Sequence, residues 1–66
     1  KENIVFRRSI FVVKDIKKGE KIDKNNIRII RPGHGLHPKF YEEIIGKKAK
    51  RDLEKGTPLK KEDIDG

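Results

Sequence analysis

A chain of 66 residues with 32% apolar and 44% charged side chains can form one domain with a small core and no more. The absence of Cys excludes disulfides and Cys-based zinc sites, and the longest apolar run, Ile10 to Val13, falls far short of the roughly 20 residues of a membrane helix. The net charge of +7 attracts anions such as nucleic acid, a membrane surface or a phosphorylated small molecule. Yet Arg7-Arg8, Lys17-Lys18, Lys47-Lys48 and Lys60-Lys61 are separated by acids, so most of this charge reads as a solvated surface.

Lys1 to Asn3 reads as a frayed end or the tail of a linker. Ile4 to Phe6 is apolar and followed by Arg7-Arg8, as expected of a last contact with a preceding segment, so residues 1–8 are set apart from a domain at 9–66. Ser9 to Val13, β-branched and aromatic, is expected to form a strand. Asp15 to Gly19 is a turn, in which Asp15 is expected to bond its own backbone two residues on and Gly19 to take a positive φ. Glu20 to Ile22 is a short extended step. Asp23 can cap a single helical turn at Lys24 to Asn26. Ile27 to Ile30 is the next strand, stopped by Pro32.

Arg31-Pro32-Gly33-His34-Gly35 is a loop, because two glycines and a proline in five residues do not sit inside regular structure. The one helix is expected at Pro38 to Ile45, with Pro38 in its first position and His37 as N-cap. Leu36 and Tyr41 then have the spacing of a hydrophobic staple, and Phe40, Tyr41, Ile44 and Ile45 make its apolar face. Gly46 should end it in the left-handed region. Lys47 to Arg51 returns as a strand. Pro58 suits an edge position with no ladder N–H to lose.

Residues 15–27 and 52–64 are two copies of one pattern, offset by 37 positions throughout. Asp15 matches Asp52, Lys18 matches Lys55, Gly19 matches Gly56, Lys24 matches Lys61 and Ile27 matches Ile64, while Ile16/Leu53 and Ile22/Leu59 stay aliphatic. Two units this small cannot each bury a face, so they should pack into one body. A low apolar share leans toward disorder. The regular recurrence of Ile10, Val12, Ile16, Ile22, Ile27, Ile29, Ile44, Leu53, Leu59 and Ile64 between turn signals argues instead for a folded domain with a small aliphatic core. The lack of Met, even at position 1, is expected of a segment cut or processed from a longer protein.

Val13-Lys14-Asp15-Ile16-Lys17-Lys18-Gly19-Glu20, Asn26-Ile27, Arg31-Pro32-Gly33-His34-Gly35-Leu36-His37-Pro38, Ile45-Gly46-Lys47-Lys48-Ala49 and Asp52-Leu53-Glu54-Lys55-Gly56-Thr57-Pro58-Leu59 together resemble the C-terminal, antifreeze-like domain of sialic acid synthases. That domain is similar to type III antifreeze protein, and both belong to the SAF group. The resemblance runs from about Ser9 to Ile64. The repeated Lys and Gly are shared by the wider group, and Arg31 to Gly35 is the sharper marker of the synthase branch.

The resemblance implies a mainly β domain, the small β-clip or pretzel fold of short strands with one-turn helices, one short helix and internal pseudo-two-fold symmetry. It implies a cytoplasmic parent enzyme of the N-acetylneuraminate synthase family with an N-terminal (β/α) barrel. That barrel would condense phosphoenolpyruvate with N-acetylmannosamine or a related acylamino sugar, using a divalent metal, Mn or Mg, that it holds itself. No cofactor is implied for the antifreeze-like domain. This domain of one subunit would cover the barrel mouth of its homodimer partner, and Arg31 would reach the partner's amino sugar, flanked by Pro32, Gly33, His34 and Gly35. A guanidinium suits that role because its rigid fork of donors matches amide oxygens and hydroxyls.

The residues also have ordinary readings. Arg31 can be a plain surface arginine. His34 and His37, three apart, can suggest a metal, but Gly35 and Pro38 break helical spacing between them and no Cys joins them. Phe6, Phe11, Phe40 and Tyr41 fit core or domain contacts better than base-stacking platforms. No Ser-His-Asp set, phosphate loop or carboxylate dyad is identifiable, so the isolated domain is expected to catalyse nothing. A free basic nucleic-acid binder is the first alternative, opposed by interspersed acids and few aromatics, so neither nucleic acid nor membrane is expected as a partner. An SAF module of a pilus or flagellar assembly protein is the second. Ice binding is not expected, because Lys14, Lys17, Lys18, Glu20 and Lys21 charge the first copy's surface. The residues leave open which amino sugar the parent takes: a mannosamine, its phosphate, or a diacetamido sugar leading to legionaminic or pseudaminic acid.

Overall fold

The structure is a computed structural model and describes residues 6–65. The expectations for a frayed end at Lys1 to Asn3 and for Ile4 and Val5 lie outside the described residues. Strand β1 (Ser9–Val12) pairs antiparallel with β2 (Ile27–Ile30), Ser9 opposite Ile30 and Val12 opposite Ile27. Strand β3 (Lys48–Ala49) pairs antiparallel with β4 (Ile64–Asp65), Lys48 opposite Asp65 and Ala49 opposite Ile64. The second pair is the first one displaced by the repeat offset, Val12 and Ile27 corresponding to Ala49 and Ile64.

The remaining backbone bonds obey the same symmetry and join one copy to the other. Val12 N donates to Thr57 O at 2.8 Å, and its counterpart Ala49 N donates to Glu20 O at 2.9 Å. Gly56 N donates to Val12 O at 2.7 Å, and Gly19 N to Ala49 O at 2.8 Å. Each copy's glycine turn therefore docks on the strand that precedes the other copy. Gly19 and Gly56 make that turn at φ of +87° and +93°, a region where a Cβ would be strained. Pro58 lies opposite Phe11, while Thr57 O and Leu59 N supply the bonds to that strand, so the missing proline N–H costs no ladder bond.

Two local expectations are corrected by this interleaving. Asp15 does not bond its own turn: its Oδ1 accepts from Lys55 N at 2.8 Å, and Asp52 Oδ1 accepts from Lys18 N at 2.7 Å. The exchanged caps accompany the antiparallel pairing of Ile16 with Leu53, which sets each aspartate next to the other copy's turn, while Lys17 N in the first turn is taken by Glu20 Oε1 at 2.7 Å. The expected strand over Lys47 to Arg51 shortens to Lys48–Ala49. Gly46 N and Lys47 N are engaged by Ile22 O and Ile44 O, so the chain only becomes extended after them.

The helix over Pro38 to Ile45 is instead two pieces, a 3-10 turn at Pro38–Phe40 and one α-turn, α1 (Tyr41–Ile44). Phe40, at φ −87° and ψ −3°, lies off the α-helical values and divides them. The predicted start holds: His37 Nδ1 accepts from Lys39 N at 3.0 Å, with Pro38 next in line. Gly46 takes φ +93° just after α1. The turn at 24–26 is capped as expected, Asp23 Oδ1 accepting from Asn25 N at 2.8 Å.

The core lies between the two copies. Ile10, Val12, Ile16, Ile22, Ile27, Ile44, Ala49, Leu53 and Leu59 are buried together, with Ile29 and Ile64 packed partly against them. Ile16 and Leu53, and Ile22 and Leu59, are matched pairs from the repeat. Each fully buried side chain of this kind is worth about 1.5–3 kcal/mol relative to exposure, and neither copy alone encloses enough of them. No helix among the described residues is long and apolar enough to cross a membrane.

Candidate functional site

The loop between the copies, Arg31 to Leu36, lies outside both copies of the repeat, residues 15–27 and 52–64. It leaves β2 at Ile30, which is 40% exposed, and passes through a cis peptide bond between Arg31 and Pro32. It returns to the core at Leu36, whose N–H donates to Leu59 O at 2.9 Å and whose carbonyl accepts from Ile10 N at 3.0 Å. Just before that return, Gly35 passes tightly against backbone. A Cβ there would collide with the Ile10 carbonyl oxygen and lie 3.1 and 3.2 Å from Leu59 N and O. Gly35 is thus required by close approach.

The segment leading into β1 fastens the rest of the loop. Ser9 Oγ donates to Pro32 O at 2.7 Å and accepts from Gly35 N at 3.0 Å. Arg7 Nη2 donates to Gly33 O at 3.0 Å. Arg31 Nε donates to Phe6 O at 2.9 Å. That bond fixes the root of the Arg31 guanidinium while the side chain stays exposed. Its Nη groups make no hydrogen bond to other described residues. A guanidinium carries five N–H donors, so a planar fork is left to meet an acceptor such as an amide oxygen, a carboxylate or a hydroxyl. Phe6, whose carbonyl takes this bond, and Ile30, the residue before Arg31, are the exposed large apolar side chains among the described residues, at 69% and 40%.

His34 is exposed at the loop tip. His37 is engaged through Nδ1 as the cap acceptor, so the two histidines do not act as a pair. No group of three or more His, Asp or Glu side chains able to hold a metal comes together among the described residues. A separate cleft of about 220 Å³ is lined by Leu36, Phe40, Glu43, Ile44, Lys47 and Lys61, with Ile64. It is smaller than an ordinary ligand pocket of roughly 300–1,000 Å³ and includes neither Arg31 nor His34.

Arg31 and its loop were legible in the sequence. Ser9, Arg7 and the Phe6 carbonyl were not, although one signal existed. Ser9 is a lone hydroxyl at the head of an otherwise apolar strand, and the repeat places Gly46 at the corresponding position.

The family model described as SAF domain matches residues 7–65. The chain belongs to the SAF domain family. The crystal structure of spore coat polysaccharide biosynthesis protein SpsE from Bacillus subtilis superposes on this SAF domain with a TM-score of 0.85 at 38% identity. The match covers 97% of this chain and 19% of that one. Pseudaminic acid synthase of Helicobacter pylori is 57% identical over 60 residues, covering 91% of this chain and 18% of the relative. Pseudaminic acid synthase of Campylobacter jejuni (serotype O:23/36) is 53% identical over 63 residues, covering 96% of this chain and again 18% of the relative. The SAF domain thus spans about a fifth of the length of the proteins it matches. The fold is the expected one, mainly β with short strands and an internal pseudo-two-fold.

Proposed function

We propose that this SAF domain is the cap of a sugar-acid synthase and delivers Arg31 to the acylamino sugar bound in the barrel of a dimer partner. The observation that carries the reading is the Arg31 loop. It lies outside both copies of the repeat, its backbone is fastened at both ends, and it presents an exposed guanidinium held by one nitrogen. The two relatives named pseudaminic acid synthase support a parent that joins phosphoenolpyruvate to a diacetamido sugar, rather than to mannosamine or its phosphate.

In this reading the domain does two things. Its bulk closes the mouth of the barrel and excludes water, which strengthens every polar contact inside. Arg31 donates hydrogen bonds to an acylamino carbonyl oxygen of the sugar and so orients it for carbon–carbon bond formation. Phe6 and Ile30 supply the apolar rim that seats against the partner, and exposed His34 lies toward the same site. The divalent metal belongs, in this reading, to the barrel, and no step here runs through it.

Mixed dimers test the geometry. Full-length subunits carrying Arg31→Ala are combined with subunits inactivated in the barrel. If the cap works in trans, each mixed dimer has one site with both defects and one with neither, so activity returns on mixing. No recovery in verified mixed dimers would overturn the assignment.

A further inference from the structure

We infer that Ser9, assisted by Arg7, is a positioning residue for Arg31, holding its loop in the substrate-ready shape before any substrate binds. This rests on the cap reading above. Ser9 is fully buried, and both hydrogen bonds of its hydroxyl land on the same loop, one on Pro32 O and one from Gly35 N. A single hydroxyl therefore ties together the two sides of the Gly33-His34 tip. Arg7 adds a bond to the carbonyl between them, Gly33 O, and the same segment's Phe6 carbonyl receives Arg31 Nε. Three side-chain bonds from Arg7 and Ser9 hold the loop backbone, and one backbone group of their own segment holds the arginine.

The repeat puts Gly46, with no side chain, at the position matching Ser9, so the second copy has no such hydroxyl. Ile10, Leu36 and Leu59 are joined by backbone bonds that do not involve Ser9. What the hydroxyl adds is a fixed path for the four residues between Arg31 and Leu36, and thus a fixed root for the fork. A contact group that is already in place loses little freedom when the sugar arrives, and displacement of such a group by about 1 Å can cost up to roughly a hundredfold in rate.

The test compares Ser9→Ala, Arg31→Ala and the double variant in the full-length protein, with kinetics for both substrates and hydrogen–deuterium exchange of the peptide covering residues 31–36. Ser9→Ala is expected to lower kcat/KM for the amino sugar by about tenfold, leave KM for phosphoenolpyruvate unchanged, and raise exchange in that peptide. In the Arg31→Ala background the same change should do nothing further, because Ser9 acts through Arg31. Impaired Arg31→Ala with wild-type Ser9→Ala kinetics would overturn the positioning role and leave the cap reading standing. Losses that multiply in the double variant, or that strike both substrates equally, would also overturn it. Wild-type kinetics in Arg31→Ala would overturn the cap reading itself. If Ser9→Ala does not fold, Arg7→Gln takes its place with the same three comparisons, and an unchanged kcat/KM for the sugar there would overturn the clamp.

Discussion

Ile16 and Leu53 hydrogen-bond to each other twice, Ile16 N to Leu53 O at 2.8 Å and Leu53 N to Ile16 O at 2.7 Å, and they occupy the same place in the two copies of the repeat. A residue paired reciprocally with its own counterpart lies on a local two-fold axis. Every interleaved contact radiates from that pair. On one side Asp15 receives Lys55 N, on the other Asp52 receives Lys18 N, and the two glycine turns dock on opposite strands.

The axis makes a stability prediction with an internal control. Asp15→Ala and Asp52→Ala should each destabilise by about 0.5–1.5 kcal/mol, because each removes one hydrogen bond to an amide of the opposite turn. Symmetry requires the two losses to be similar. Chemical denaturation of the two variants measures this, and a loss confined to one of them would count against exchanged caps.

Asp63 allows a subtler comparison. It is 5% exposed, its Oδ2 accepts from Lys60 N at 3.0 Å, and its Oδ1 meets Arg51 Nε at 2.9 Å. Its counterpart is Asn26, whose Oδ1 accepts from Asp23 N at 2.9 Å. Asp63→Asn should therefore keep the cap and lose only an ion pair whose arginine is largely solvated, a change of about 0–1 kcal/mol. Asp63→Ala should cost about 1–3 kcal/mol, since it leaves Lys60 N without its acceptor. Equal losses in thermal denaturation would refute the distinction.

Gly35→Ala and Gly19→Ala should fail for different reasons. A methyl at Gly35 meets backbone atoms of Ile10 and Leu59, which cannot rotate away, so the loop must shift at about 1–3 kcal/mol. A methyl at Gly19 meets nothing within 4 Å but sits at φ +87°, a conformational penalty of about 1–2 kcal/mol. Only Gly35→Ala should also weaken use of the amino sugar, because only it displaces the Arg31 loop. Kinetics at a temperature where both variants are folded separates the two.

Arg31→Ala in the full-length protein should lower kcat/KM for the amino sugar by roughly tenfold to a hundredfold, equivalent to losing about 1.5–3 kcal/mol of a charged hydrogen bond, with little effect on phosphoenolpyruvate. Arg31→Lys should recover little, since an ammonium cannot reproduce a fork whose Nε is tied to Phe6 O. Full activity in the lysine variant would mean that charge alone suffices.

No thermal hysteresis is expected from this domain. Lys14, Lys17, Lys18, Glu20 and Lys21 are all exposed, so the first copy presents a charged surface instead of the flat, weakly charged one that ice binding needs. A freezing gap above that of a control protein, read by nanolitre osmometry, would contradict this.

The sequence by itself determined what is local or periodic. The offset of 37 announced two half-domains, β-branched runs marked β1 and β2, Gly19 and Gly46 marked the positive-φ turns, and His37 with Pro38 marked the start of the helical region. Arg31 stood out because its loop departs from the repeat. These signals survive because a cap or a turn is decided within a few neighbouring residues. Tertiary structure decided the partners. Nothing around Asp15 says that its acceptor will serve Lys55, 40 residues away, and nothing around Ser9 says that its hydroxyl will bridge Pro32 and Gly35. A short polar side chain bonds whichever amide packing brings within about 3 Å. Here packing about the Ile16–Leu53 axis and the close passage of Gly35 over Ile10 made that choice.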